Sequence, residues 1–303
     1  MTGIQHVARK IFRWGEVEEM NPAESIAGPA WPAGLKTITV KCGVCSRSMA
    51  LRQLASRKAG IRMRDVWYCS SACFTSVAER EFSELLKLGV EQGSHAARMP
   101  LGLMLVSRGQ LTKEQFREAS EELKVTGGEI GELLVCRGVV TERQVTSVRA
   151  AQWGCAVFTM PKQLEPARIH VPMKFIKVYS AIPLHFVAAR KLLLVGFVQA
   201  VEYGLLYAIE QITGCKTQPC FVTPTEFKTL VDMQAQSIET HEAAPASEII
   251  FDSVHSPEEM ASILCSHGVE MEAEEAMIAK CRDFLWARLV SPAKEVDLLF
   301  KAG

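Results

Sequence analysis

The chain has 303 residues, 34 basic against 34 acidic side chains, and 48% apolar residues. That length holds two or three modest domains with buried cores, and the even charge selects no class of partner. Met1 to Lys10 lacks an apolar core of signal-peptide length, and no apolar run approaches the roughly 18 residues of a membrane span. A soluble cytoplasmic protein is expected, with its ten cysteines reduced rather than joined in disulfides.

Taken in order, residues 1–35 read as a tail and linker. Val7 to Trp14 is weakly amphipathic, Glu16, Glu18 and Glu19 are acidic, and Asn21 to Gly34 is rich in Pro, Ala and Gly. Residues 36–92 read as a cysteine module with a trailing helix. Cys42-Gly-Val-Cys45 and Cys69-Ser-Ser-Ala-Cys73 supply two close pairs of soft ligands. Tetrahedral zinc needs four sulfurs converging at about 2.3 Å, and four thiolates leave no open position for catalysis. Cys42, Cys45, Cys69 and Cys73 are therefore the expected ligands of a structural zinc, resembling treble-clef or zinc-ribbon modules. A redox Cys-x-x-Cys is the rival reading, although such motifs lack a second pair. Ser70 or Ser71 is expected to cap a helix through Phe74, Val77, Phe82, Leu85 and Leu86. Lys36, Lys41, Arg47, Arg52, Arg57, Lys58, Arg62 and Arg64 face only Asp65, so this module is the chain's candidate nucleic-acid surface. The other cysteines, Cys136, Cys155, Cys215, Cys220, Cys265 and Cys281, read as small buried residues.

From Met99 to Gln152 one unit is written twice. Leu101 aligns with Ile130, Gly102 with Gly131, Met104-Leu105-Val106 with Leu133-Leu134-Val135, Arg108-Gly109 with Arg137-Gly138, and Leu111-Thr112 with Val140-Thr141. In each copy an apolar run ends at glycine, and Thr112 or Thr141 stands three residues before Gln115 or Gln144. That is capping-box spacing, and it predicts a short helix, a break and an amphipathic helix in each copy. Two such hairpins can pack into a small four-helix unit.

This duplicated Leu-Gly-x-x-Leu-Val-x-x-Gly-x-Leu-Thr pattern resembles the N-terminal domain of type II secretion and type IV pilus ATPases, called MshEN. The resemblance extends over residues 95–235. It implies cyclic di-GMP as a ligand, with bases against Leu101, Leu105, Leu111, Leu134 and Val140, and backbone approach at Gly102, Gly109, Gly131 and Gly138. The family opens each copy with arginine and closes it with glutamine. Here the opening positions are Pro100 and Glu129 and the first closing position is Leu123; Gln152 keeps its identity, and Arg98 lies two residues early. The same leucines and glycines also have a plain reading as helix core and helix ends.

After the repeat, short strands and helices alternate. Strands are expected at Ala156–Thr159, Ile182–Ala188, Lys191–Phe197 and Thr217–Val222, and helices at Pro172–Tyr179, Ala200–Thr213 and Thr225–Gln234. Residues 236–248 read as a linker and 249–303 as a small C-terminal α/β domain, with Ala273 to Lys280 either helix or strand. The expected class is α+β and multidomain: a small zinc module, a tandem helical-hairpin repeat with an appended α/β layer, and the C-terminal domain.

Nothing matches a phosphate-binding Gly-x-x-x-x-Gly-Lys loop, a Gly-x-Ser-x-Gly elbow, a His-Glu-x-x-His helix or a deaminase signature. The expectation is a non-enzymatic cytoplasmic adaptor or regulator, with secretion or pilus machinery or a signalling component as partner and zinc as cofactor. Cyclic di-GMP is its implied ligand. The alternative is a nucleic-acid-binding zinc regulator that reads through its basic module.

Overall fold

The computed structural model describes residues 39–50, 60–88, 98–160, 169–240 and 247–302. The expected tail and linker at 1–35 lie outside them, as do Lys36, Arg52, Arg57 and Lys58. The fold is α+β. Strands β1 (Thr39–Lys41) and β2 (Ser48–Ala50) pair antiparallel, followed by β3 (Ile61–Met63), β4 (Val66–Tyr68) and helix α1 (Ser71–Lys87). Four helices carry the repeat: α2 (Leu101–Ser107), α3 (Lys113–Thr126), α4 (Ile130–Cys136) and α5 (Glu142–Trp153). Then come β5 (Ala156–Val157), α6 (Met173–Tyr179), β6 (Ala181–Val187), β7 (Leu192–Phe197), α7 (Tyr203–Thr213), β8 (Lys216–Phe221) and α8 (Pro224–Thr240). The chain closes with β9 (Ser247–Phe251), α9 (Pro257–Glu270), β10 (Glu275–Cys281), β11 (Phe284–Val290) and β12 (Glu295–Lys301).

The segments 36–92 and 249–303, expected as separate domains, instead share one sheet of order β4-β3-β10-β11-β12-β9. Strand β3 pairs parallel with β10, Arg62 opposite Glu275 and Met63 opposite Ala276. The two segments also share one core. Phe74, Val77, Ala78 and Phe82 of α1 meet Met260, Ala261 and Leu264 of α9 over Ile278, Leu285, Leu289 and Leu298. The reason is physical: α1 has an apolar stripe, and the three-residue strands below it are too short to cover it. Burying each such side chain contributes about 1.5–3 kcal/mol relative to exposure, and α9 with the C-terminal strands supplies the cover.

Side chains alternate across a strand, so the other face of this sheet presents Met277, Ala279, Cys281, Phe284, Trp286 and Leu299. These pack on Phe175 and Ile176 of α6 and on Leu205 and Ile209 of α7. The same two helices cover Leu193, Val195, Phe197 and Phe221 of a second sheet, of order β5-β8-β7-β6. Helix α8 closes the far side of that sheet through Leu230, which packs with Ile182, Leu184 and Val222. Thus α6 and α7 lie between two sheets. Strand β11 is buried along both faces up to Val290, which accounts for its nearly unbroken apolar sequence.

Polar groups tie these layers. Glu248 on β9 accepts from the backbone amides of Met173 (2.8 Å) and Lys174 (3.1 Å). It thereby caps α6, whose own N-cap Pro172 offers no side-chain acceptor. Arg288 donates to both carboxylate oxygens of Asp297 at 2.8 and 2.9 Å and to the His170 carbonyl at 2.8 Å. Helix α8 runs into the expected linker at 236–248, and β9 begins inside it. Ala273 to Lys280 resolves as strand β10.

Candidate functional site

The four paired cysteines converge. Cys42 follows β1, and its turn closes through Cys42 N to Arg47 O (2.9 Å) and Ser46 N to Cys42 O (3.1 Å), with Ser46 left-handed at φ 57°. A Cβ at Gly43 would lie 2.6 Å from Val66 Cγ1, so the knuckle needs glycine there. Cys69 follows β4, and Ser70 caps α1 by accepting from Cys73 N at 3.4 Å. This brings Cys73 round to the first turn of the helix, beside Cys69. All four sulfurs lie within 4.8 Å of one another; Cys45 to Cys69 is 3.4 Å and Cys69 to Cys73 is 3.9 Å. A tetrahedron with bonds of about 2.3 Å has edges of roughly 3.8 Å, so the set could hold such an ion.

Burial pushes the Cys42 thiol up, but amides of Cys45, Val44 and Cys69 stabilise its thiolate more and bring it to about 6. Cys69 is pushed up to about 12, first by hydrogen bonding to Cys45 and then by desolvation. Clustered thiols without a cation share protons rather than ionising together. Of the other cysteines, Cys215, Cys220, Cys265 and Cys281 are buried and Cys155 is half-buried. Cys136 is instead exposed, because Leu134 is the residue that α4 turns inward.

The basic module is less free than its sequence implies. Arg62 pairs with Glu275 at 3.3 Å and Arg64 with Glu81 at 3.0 Å, while Lys41 and Arg47 are exposed. Trp67 and Tyr68 are buried in the core.

In the repeat both capping boxes form. Gln115 N donates to Thr112 Oγ1 at 3.1 Å and Gln144 N to Thr141 Oγ1 at 3.2 Å, with the return bonds at 2.9 and 2.8 Å. Gly109 and Gly138, at φ 68° and 66°, end α2 and α4 with open space around them. Gly102 and Gly131 serve differently. A Cβ at Gly102 would lie 2.3 Å from the Phe116 ring, and one at Gly131 would lie 2.9 Å from Val145; both glycines let neighbouring helices approach. Leu105, Leu111, Leu134 and Val140 are at most 5% exposed and form the repeat's own core, against which Leu101 packs.

The two ends of the repeat meet. Gln152 Nε2 donates to the Met99 carbonyl, and the Arg98 guanidinium lies 3.5 Å over the Trp153 ring. Glu129, at the second opening position, pairs with Arg149, whose Nη1 also donates to the Val198 carbonyl at 3.1 Å. Arg149 is 7% exposed. Sequence reasoning missed it, and the available signal was a lone arginine among the inward-facing Val145, Val148 and Ala150.

No family model matches the chain. Over 129 residues, 42% of its length, the chain is 26% identical to the type IV pilus assembly ATPase PilB of Thermus thermophilus. The chain carries an MshEN-like domain. The match takes in 14% of that relative's length. Among solved structures, MshE with cyclic di-GMP is similar at 20% identity, with a TM-score of 0.38, over 46% of this chain and 99% of that one. The N-terminal domain of XpsE is similar at 18% identity, with a TM-score of 0.34, over 44% and 91%. Among the described residues no helix is long and apolar enough to cross a membrane.

Proposed function

We propose that this protein is a non-catalytic adaptor or regulator that docks on secretion or pilus machinery through its MshEN-like domain. One structural zinc ion, held by Cys42, Cys45, Cys69 and Cys73, braces the sheet beside that domain. The observation that carries the docking reading is the duplicated hairpin, closed on its own leucine core, in a chain of which 129 residues are similar to a pilus assembly ATPase. The zinc reading is supported by the convergence of four sulfurs, a donor set that leaves no ligand position open.

Cyclic di-GMP is at most a weak input through the repeat. Its opening positions are proline and glutamate, and the glutamate is already engaged by Arg149. The nucleic-acid alternative has less support, because Arg62 and Arg64 face carboxylates.

The test has two arms. Metal analysis of protein purified without chelator is expected to give one zinc per chain, and a metal-free preparation that stays folded would remove the zinc. Calorimetric titration with cyclic di-GMP is expected to give little heat. Tight saturable binding that Gln152→Ala weakens would make the repeat a receptor and overturn the scaffold reading.

A further inference from the structure

The outermost strand of a sheet has backbone groups on one side that a further strand can pair with, and proteins blunt such edges with proline, bulges, charge or cover. The edges of the two large sheets differ in this respect. In the four-stranded sheet, β5 is two residues long, and β6 carries Pro183 with a register break between Pro183 and His185. In the six-stranded sheet, the cysteine knuckle covers β4. Cys42 bridges to Trp67, and Gly43 N donates to the Trp67 carbonyl at 3.1 Å.

Strand β9, at the other end of that sheet, has none of these protections. It spans five residues, Ser-Glu-Ile-Ile-Phe, and keeps unbroken parallel register with β12 from Ser247 to Phe251. Its far side has no strand neighbour among the described residues. Glu248 is the only charged residue on it, and its carboxylate is turned to the amides of Met173 and Lys174 at 2.8 and 3.1 Å. The strand's own charge therefore does not screen the edge. Ile249 and Phe251 pack on the core beneath α1 and α9, while Ile250, on the opposite face, stays 39% exposed.

We propose that β9 pairs antiparallel with β9 of a second copy of this chain, joining two six-stranded sheets across a two-fold axis. Such an axis, perpendicular to the sheet, sets the outward N–H groups of each strand against the carbonyls of the other, and one patch serves both copies. It also keeps the Ile250 side chains of the two copies on the same face. With Glu248 engaged on α6, two identical edges meet without like-charge repulsion, and a charged peptide finds no opposite charge on the strand to select it. Because the knuckle covers β4 at the far end of the sheet, the pairing closes at two copies and does not propagate into a filament. The edge is about 16 Å long at about 3.3 Å per residue. That is short of what buries the ~1,200 Å² of a standard interface, so the dimer is reversible and grows with concentration. The inference does not depend on docking or on zinc.

Sedimentation equilibrium of the full chain over a wide range of concentration tests it, together with hydrogen exchange at its two extremes. A monomer–dimer equilibrium is expected, with amides of 247–251 exchanging more slowly at high concentration and those of 181–187 unchanged. Ile250→Lys should weaken the dimer about tenfold or more, since it removes an apolar pair and brings two like charges together. Ile250→Val should keep it. Position 250 reaches solvent, so both variants are expected to melt with the wild type in dilute solution. An excess of a synthetic peptide with the sequence of 247–251 should dissociate the wild-type dimer, a readout that needs no variant to fold. The inference is overturned if the chain stays monomeric throughout, if Ile250→Lys leaves the dimer unchanged, or if the protection appears away from 247–251. A monomeric chain that still binds the peptide would overturn the second copy in favour of a strand from another protein.

Discussion

The four helices of the repeat close their core between Leu101 and Trp153, whereas the six-stranded sheet joins Arg62 to Glu275 across 213 residues. The first is built from capping boxes, glycine breaks and apolar spacing that each hairpin carries within itself. The second exists only when both ends of the chain are present, because neither the short strands β3 and β4 nor the C-terminal strands cover α1 alone. A metal at the cysteine cluster would therefore brace the sheet and not the repeat.

Breaking the cluster is the largest test of that contrast. Cys69→Ser, or stripping the metal with chelator, is expected to raise hydrogen exchange toward unfolded rates in 39–88 and in 247–302 together. Residues 101–153 should remain protected. If 247–302 stayed protected while 39–88 opened, the shared core would not be one cooperative unit.

A smaller effect sharpens the comparison from the other side. Gly102→Ala places a methyl group against Phe116, and overpacking of this kind costs about 1–3 kcal/mol. Denaturation followed by exchange should show the repeat destabilised by that amount and the sheet unchanged. A neutral result would mean that α2 and α3 separate at no cost, contrary to a tightly closed hairpin.

The smallest effect concerns pH and belongs to the layered half. Burial lowers the pKa of His170, with Asp297 opposing the shift and Arg288 adding to it. Below pH of about 6.5 the unfolded chain takes up a proton that the folded chain resists. The contribution of neutral His170 is thus fully present above that value and lost as pH falls further. Urea midpoints measured down the acid limb should show a shallower fall for His170→Asn than for wild type; identical slopes would remove His170 as the cause.

The repeat was the most legible part of the sequence. Thr112–Gln115 and Thr141–Gln144 sit at capping spacing, and both boxes form because their partners are three residues away. The cysteine pairs were legible for the same reason, each pair being local and each backbone turn marked by glycine or serine. The candidate ligand residues were less so. Gly102 and Gly109 look alike in the motif, yet one admits a neighbouring helix and the other turns the chain through positive φ. Spacing does not reveal what a missing Cβ would meet.

By itself the sequence determined the helix ends of the repeat, the two cysteine turns, and the hairpin of β6 and β7. All of these rest on interactions between residues close along the chain. Only the tertiary structure decided that the cysteine segment completes the C-terminal sheet, that Arg149 pairs with Glu129, and that Arg98 stacks on Trp153 beside Tyr203. Parallel pairing, buried ion pairs and shared surfaces depend on which distant segments come to cover one another's apolar faces, and local periodicity carries no record of that choice.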